Sequence, residues 1–499
     1  MRWLLRSLFS AALLFLAIDG YPRSAIALDQ LALEFPLLQT QIKLDLENAD
    51  KVGDLLRVHP DLVELDQVTN GSVKALLERM FKAPLPLEAK TLLEGADQPL
   101  LEQALRAATY VVEVEGLPSQ TTGRMLADAL IRANRNGSAN LLGLLREIPG
   151  EVAVIDFSKL TLSANRLRNQ LQDGVALTKT VLPAPVTSSL RTPLRRTWQR
   201  LDLEVNVPER SKSLRVLTLI PEKRNSNGRL VVISHGLWDE AASFEGWGEL
   251  LAAYGYTVLL PDHPGSDSDQ QKAMLAGELP PPQPEELRLR PLDVTALLNA
   301  IESGEILQGY NLNVNDVAVA GHSWGALTAL QLIGAQTTDR KLLARCGNPD
   351  DSERNLSWVL QCSWLSSIEK SSLADSRIKT AVAVSPPLRL LFDPELQEGI
   401  SGKVLLVSGT RDWVVPSGPE ALTPMRNSSA AKAGHRLVLV ERGDHFNLRA
   451  PSDLSSPAVL APLILAWVNE QLSVPSDVTF TSGGWGDERH PLFDVTDQL

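Results

Sequence analysis

Beyond residue 195 the chain alternates short apolar runs with segments whose apolar residues recur every three or four positions. Strands buried on both faces need nearly continuous Val, Leu and Ile, and parallel strands need connecting helices. The pattern therefore predicts an α/β domain with an eight-stranded, mostly parallel sheet between helices, in which the first two strands are antiparallel. The predicted strands are LDLEVNV, LRVLTLI, LVVIS, YTVLL, VAVA, IKTAVAVS, VLLVS and LVLVE.

The region before this domain has a different pattern. KALLERMF, PLLEQALRAATYVV and GRMLADALIRAN show helical periodicity, and only LALEF and LQTQIKL alternate, as a short hairpin would. It contains one histidine, His59, and no grouping of a nucleophile with a base and an acid. We predict a mainly helical accessory domain over 28–190, joined through LPAPVTSSLRTP to the α/β domain over 195–473. A polar C-terminal tail is predicted over 474–499.

The first 27 residues have the pattern of a secretory signal. Arg2 and Arg6 precede an apolar run from Leu8 to Ile18, and AIA at 25–27 matches a small-residue cleavage site. The alternative is an uncleaved membrane anchor, but the run is shorter than the roughly 20 residues that span a bilayer. We predict cleavage after Ala27, export to the periplasm or the medium, and no stable membrane insertion afterwards.

Composition restricts the possible partners. The chain has 48 Lys and Arg against 60 Asp and Glu, for a net charge of -12. Nucleic-acid binding depends on neutralising phosphates with basic side chains, so this balance argues against a nucleic-acid partner. The sequence does not specify an oligomeric state.

The chain has two cysteines, Cys346 and Cys362. In an exported protein they are expected to form a disulfide, which would add about 3 kcal/mol to stability by closing a short loop. The alternative is a pair of buried free thiols. No histidine cluster accompanies them, so no metal site is predicted.

A candidate nucleophile follows the run VAVA. Residues 321–325 read GHSWG, a Gly-x-Ser-x-Gly between a predicted strand and a predicted helix. In that context the turn is so tight that only small residues fit beside it, and it presents the serine hydroxyl above the sheet. We therefore predict Ser323 as the nucleophile.

A serine nucleophile needs a base, and the base needs an orienting acid. Asp412 follows the run VLLVS and His445 follows LVLVE, so both are predicted at the same sheet edge as Ser323. His445 is the predicted general base and acid, and Asp412 the group that fixes its tautomer. His435 precedes its strand, and His263 is better explained by a turn.

The oxyanion of a tetrahedral intermediate needs backbone N–H donors. One is predicted at Trp324, directly after the nucleophile, and the second at Leu237, in the loop after the run LVVIS. Trp238, Trp324 and Trp413 each directly follow a residue of this apparatus. Trp238 and Trp413 are candidate substrate-binding residues that would contact an acyl or aryl group, although packing of the loops explains them equally well.

These residues resemble a known family. LVVISHGLW, YGYTVLLPDHPGSD, VAVAGHSWG, VLLVSGTRDWVVP and ERGDHF resemble the alpha/beta-hydrolase superfamily, and are most similar to its exported bacterial branch near platelet-activating-factor acetylhydrolases and dienelactone hydrolases. The N-terminal region resembles a domain of unknown function that precedes such hydrolases in cyanobacteria. Two departures matter. Ser323 stands where dienelactone hydrolases have cysteine, and Ser385 with two prolines stands where the animal acetylhydrolases have their acid, which leaves Asp412 as the acid.

The sequence thus predicts an alpha/beta-hydrolase fold and an exported serine esterase that cleaves small-molecule or lipid esters through an acyl-enzyme, without a metal or organic cofactor. Two alternatives remain open. One is acyl transfer to an alcohol by the same triad, and the other is a catalytically inactive binding or scaffold protein.

Overall fold

The computed structural model describes residues 28–35, 40–46, 60–68, 70–82, 95, 98–110, 112–114, 123–185, 198–368, 372–392, 399–452 and 458–499. The predicted signal segment, His59 and most of the predicted linker lie outside these residues. No helix in the described part of the chain is both long and apolar enough to cross a membrane.

The chain divides into two compact units. The first contains the described residues of Met1–Leu93 and Ala108–Leu160, and the second those of Glu94–Ala107 and Thr161–Leu499. The boundary between these units lies inside a long helix, Phe157–Leu177, whose later turns belong to the second unit. The domain boundary near residue 190 stays a prediction.

The first unit contains a four-stranded sheet of order β2-β1-β4-β3. The predicted hairpin is present, because β1 and β2 pair antiparallel from Gln30 opposite Asp45 to Phe35 opposite Thr40. The sequence did not indicate β4, which pairs parallel to β1, because a short apolar run does not distinguish a strand from a helix. These strands are β1 (Gln30–Phe35), β2 (Thr40–Asp45), β3 (Val112–Val114) and β4 (Val152–Asp156).

Six helices are described in the N-terminal part of the chain. They are α1 (Pro60–Val68), α2 (Ser72–Lys82), α3 (Pro99–Thr109), α4 (Gly123–Arg135), α5 (Leu141–Glu147) and α6 (Phe157–Leu177).

The second unit is built on a nine-stranded sheet of order β13-β12-β11-β10-β9-β7-β8-β6-β5. Neighbours from β12 to β8 are parallel, and the pairs β5–β6, β6–β8 and β12–β13 are antiparallel. The mostly parallel sheet and the antiparallel first pair are confirmed. The strands are β5 (Trp198–Val205), β6 (Leu214–Pro221), β7 (Arg229–Ser234), β8 (Thr257–Asp262), β9 (Asn313–His322), β10 (Ile378–Val384), β11 (Lys403–Gly409), β12 (Arg436–Val440) and β13 (Leu492–Asp494).

The ninth strand corrects the predicted count of eight. It comes from the segment expected to be a polar tail, and it pairs with β12 through Leu492 opposite Val440 and Phe493 opposite Leu439. Three residues are too few to show a period, so the strand is specified by pairing rather than by local pattern. The C-terminal segment is therefore part of the sheet.

Helices cover both faces of this sheet. Along β7, Leu230 and Val232 belong to one core cluster, whereas Val231 and Ile233 belong to another. Successive strand residues point to opposite faces, so a strand with apolar residues throughout is buried on both sides. The helices are α7 (Glu245–Ala253), α8 (Ser268–Leu275), α9 (Glu286–Glu302), α10 (Trp324–Leu332), α11 (Arg340–Arg345), α12 (Ser357–Ser363), α13 (Thr423–Asn427) and α14 (Ala461–Gln471).

Short non-α turns complete the described structure. Four of them are 3-10 helices and one is a π-helical turn, in that order: Ala241–Phe244, Leu365–Ser367, Phe480–Ser482, Thr496–Gln498 and Gly418–Leu422.

The predicted disulfide is present. Cys346 and Cys362 are bonded, with their Cα atoms 5.7 Å apart, which lies in the usual range for such a bridge. The bond closes a loop within the insertion between α10 and β10, so the alternative of two free thiols is wrong.

Candidate active site

Ser323 occupies a strained turn between β9 and α10. Its φ is 54° and its ψ is -117°, a conformation that residues with a side chain rarely adopt. A Cβ on Gly321 would lie 2.1 Å from the carbonyl oxygen of Gly325, and a Cβ on Gly325 would lie 2.0 Å from that of Ser234. Both glycines are therefore required by the backbone that turns around Ser323, which is the geometry expected of a nucleophile turn.

Asp412 and His445 are hydrogen-bonded. The Nδ1 atom of His445 lies 3.0 Å from Oδ2 of Asp412, and the aspartate side chain is fully buried. Its other oxygen, Oδ1, accepts hydrogen bonds from the backbone N–H groups of Val414 at 3.1 Å and Val415 at 2.8 Å. A carboxylate only accepts, so this contact places a proton on Nδ1 and leaves Nε2 of the neutral ring as an acceptor.

The loop that carries His445 reaches the turn that carries Ser323. The His445 ring packs on the ring of His322, the residue before Ser323, with 4.7 Å between the ring centroids. Asp412 follows β11 and His445 follows β12, both parallel to β9, so all three side chains emerge at the carboxyl edge of the sheet.

The loop after β7 also lies against Ser323. A Cβ on Gly236 would lie 3.4 Å from the Cβ of Ser323, so the backbone that leads to Leu237 runs beside Ser323. The N–H of Trp238 is already used, because it donates to the carbonyl of Ser266 at 2.8 Å. Trp324 is the first residue of α10, and N–H groups of a first helical turn have no partner within the helix.

Residues 230–462 match the model of the alpha/beta hydrolase family, most of whose members are hydrolytic enzymes. This part of the chain has the alpha/beta-hydrolase fold and is the hydrolase domain of the protein. The match covers the strands from β7 to β12 and all the residues predicted to carry chemistry. It does not extend to the first unit, whose predicted resemblance stays a prediction. No curated protein matches the chain.

His322 is a residue of the hydrolase domain to which the sequence assigned no role. It is buried between the rings of Phe244 and His445. Burial, followed by repulsion from His445 and Arg449, lowers the pKa of His322 well below its usual value, so the ring is neutral near pH 7. Its position inside GHSWG was the available signal, but the spacing does not show that this side chain faces the ring of His445.

The other histidines considered as bases do not reach Ser323. His435 accepts a hydrogen bond from the backbone N–H of Val404, near the start of β11, and so lies at the opposite edge of the sheet. His263 is fully buried, with Nδ1 2.8 Å from Oδ2 of Asp293. His263 therefore belongs to a buried polar cluster with Asp293 rather than to a simple turn. This cluster lies behind the loop that follows β7 and contains Gly236, here called the Gly236 loop.

Trp413 and Phe446 form an exposed aromatic pair in the hydrolase domain. Trp413 is 47% exposed and Phe446 is 48% exposed, and their ring centroids are 6.2 Å apart. The Phe446 ring also meets the His445 ring edge to face at 5.5 Å. Each aromatic residue directly follows a member of the Asp412–His445 pair, so the pair lies beside the predicted site.

The other two predicted tryptophans are less exposed. Trp324 is buried, and its ring packs on Trp364 of the disulfide-containing insertion at 5.0 Å. Trp238 is half-buried, with a φ of 57°, and its indole N–H donates to Oε1 of Gln270 at 2.8 Å. Both rings are held by packing or hydrogen bonding. Within the described residues, no group of His, Cys, Asp or Glu side chains is arranged to hold a metal ion.

Proposed function

We propose that the hydrolase domain is a serine esterase that cleaves carboxylic esters through an acyl-enzyme. Ser323 is the nucleophile, His445 the general base and acid, and Asp412 the group that holds the imidazole in the reactive tautomer. The observation that carries the proposal is the 3.0 Å contact between His445 Nδ1 and the buried Asp412, beside the strained Ser323 turn.

The chemistry follows from the tautomer. The free Nε2 of His445 accepts the Ser323 proton as Oγ attacks the ester carbonyl, and the developing oxyanion takes hydrogen bonds from the N–H groups of Leu237 and Trp324. The imidazolium then gives its proton to the leaving alkoxide, and the C–O bond to the alcohol breaks. The same ring then takes a proton from a water molecule, whose oxygen attacks the acyl carbonyl. The bond between Ser323 Oγ and the acyl carbon breaks, the imidazolium returns its proton to Oγ, and the carboxylic acid leaves.

Ser323→Ala tests this proposal, with Ser385→Ala as the matched control. Ser385 is also buried, also has a positive φ of 49°, and also directly follows a strand, in this case β10. Wild type and Ser385→Ala should hydrolyse p-nitrophenyl acetate and react with a fluorophosphonate probe. Ser323→Ala should do neither while keeping its thermal unfolding midpoint. Full turnover by Ser323→Ala would overturn the assignment, and a wild-type protein inert in both assays would favour a binding or scaffold role.

The exposed Trp413 is the part of the site best placed to contact substrate. An aromatic side chain that is half exposed beside Phe446 offers an apolar surface to an acyl or aryl group of a small-molecule or lipid ester. We propose the same role for Trp238, which lies in the loop that follows β7. A series of p-nitrophenyl esters of increasing acyl length tests both, since loss of either ring should raise KM most for the longer chains.

We also propose that the protein is exported. The Cys346–Cys362 disulfide supports it, because disulfides persist in oxidising compartments. Residues 1–27 would act as the signal and residues 28–190 as an accessory region. N-terminal sequencing of the secreted protein tests this, with Leu28 as the expected first residue.

A further inference from the structure

A fully buried arginine lies behind the loop that follows β7. Arg290, on α9, has no exposed surface, and its Nη1 donates to the carbonyl oxygen of His235 at 2.6 Å. Its Nη2 donates to the carbonyl oxygen of Gly236 at 3.2 Å, and its Nε donates to Oγ of Ser266 at 2.9 Å. These hydrogen bonds connect Arg290 to the Gly236 loop and to the loop that follows β8.

The Gly236 carbonyl belongs to the same peptide group as the Leu237 N–H. A peptide group is planar, so a donor fixed on its oxygen also fixes the direction of its N–H. Hydrogen bonds in a chain polarise one another, so a cation on the oxygen makes the N–H at the other end a stronger donor. The guanidinium also lies 4.7 Å from the centroid of the Trp324 ring, the residue whose N–H is the other proposed oxyanion donor.

A second donor reaches the same oxygen from His235. The ring nitrogen Nε2 of His235 accepts the backbone N–H of His263 at 3.0 Å, so its proton lies on Nδ1. Nδ1 is 2.7 Å from the Gly236 carbonyl oxygen and donates to it. Burial, followed by repulsion from Arg290, lowers the pKa of His235 well below its usual value and keeps the ring neutral. The positive charge behind the peptide group is thus carried by Arg290.

The buried charge of Arg290 is compensated nearby. Glu286 and Asp293, on the same helix, are both ion-paired to Arg210, with 2.7 Å between Asp293 Oδ2 and Arg210 Nη2. Two cations and two carboxylates therefore make a cluster without net charge. A buried charge without such partners would be strongly unfavourable, so the cluster keeps Arg290 charged at this position.

We infer that Arg290 is a positioning residue of the oxyanion hole, which orients the Gly236–Leu237 peptide group and strengthens its N–H as a donor to the developing oxyanion. This inference rests on the proposed function. Arg290 touches neither the substrate nor the reacting atoms, so its loss should weaken transition-state binding and leave ground-state binding nearly unchanged.

The test compares Arg290→Met, Arg290→Lys and a matched control, Arg377→Met. Arg377 is also mostly buried and paired with an aspartate, Asp375, but it directly precedes β10 and so lies at the opposite edge of the sheet. For p-nitrophenyl acetate, Arg290→Met should lower kcat by about 10- to 100-fold, less than the loss of an entire donor, with little change in KM. Arg290→Lys should retain more of kcat, because it keeps the charge.

A tetrahedral mimic separates positioning from folding. Phenylboronic acid forms an anionic adduct on the serine, so its inhibition constant should rise in proportion to the loss of kcat in both Arg290 variants. Arg377→Met should lose stability while keeping kcat and the inhibition constant. If Arg290→Met does not fold, the lysine variant decides: lowered kcat with weakened boronate binding supports the inference.

Unchanged kcat and boronate binding in a folded Arg290→Met variant, or in Arg290→Lys if the methionine variant does not fold, would overturn the inference alone. A wild-type protein inert to both the ester and a fluorophosphonate would overturn the proposed function and this inference with it.

Discussion

Asp412→Asn should lower kcat for ester hydrolysis by about 10⁴-fold, which corresponds to about 5.4 kcal/mol of transition-state stabilisation. The reason lies in the two oxygens of this side chain. Oδ1 accepts two backbone N–H groups, from Val414 and Val415, so the oxygen of an asparagine must occupy that position. The amide nitrogen then faces His445 Nδ1 at the 3.0 Å position of Oδ2.

The consequence is a reversed tautomer. An amide NH₂ only donates, so Nδ1 of His445 must become an acceptor and the ring proton moves to Nε2. In that state Nε2 cannot take the proton of Ser323. The side chain keeps its shape and its two backbone hydrogen bonds, so the thermal unfolding midpoint should change little.

The assay is steady-state hydrolysis of p-nitrophenyl acetate, with Asp444→Asn as the control. Asp444 also accepts two backbone N–H groups on one oxygen, from Phe446 and Asn447 at 2.8 Å each, but it contacts no ring nitrogen of His445. This control should keep kcat near that of wild type. An Asp412→Asn enzyme whose kcat stayed within about tenfold of wild type would refute the tautomer argument.

Two further predictions concern stability. Replacing Cys346 and Cys362 together by serine should lower the free energy of unfolding by about 3 kcal/mol, and urea denaturation that gave the wild-type value would contradict the loop-closure argument. Burial lowers the pKa of His235, His263 and His322 well below 6.5, so below that pH the unfolded chain binds protons that the folded protein does not. The free energy of unfolding should therefore hold above pH 6.5 and fall below it, by up to about 1.4 kcal/mol per pH unit for each histidine, and a flat urea series from pH 7 to 5 would argue against buried neutral rings.

Much of the fold could be predicted from the sequence, because parallel strands that are buried on both faces consist of nearly continuous apolar residues. The same feature led us to predict Ser323, Asp412 and His445 as site residues, since each directly follows such a run. In the structure Asp412 and His445 are hydrogen-bonded to each other. The short strands could not be predicted from the sequence. β4 and β13 depend on pairing partners distant along the chain, and neither has a period of its own.

Arg290 shows why the support of the site was missed. An arginine in a helical segment such as ELRLRPLDV reads as part of a solvated face. Its burial depends on the carbonyl of His235, 55 residues away, and on a salt bridge between its helix and Arg210, 83 residues from Asp293. Such long-range polar contacts leave no periodic pattern.

The strand β13 has a consequence for synthesis of the protein. It pairs with β12, the strand that leads directly to His445, yet it is translated after Ser323, Asp412 and His445 have all been translated. The outer edge of β12 therefore stays uncovered during synthesis until Leu492–Asp494 have been added to the chain. A nascent chain halted short of Leu492 would present a bare strand edge next to a nearly complete site, a state prone to pairing with other chains.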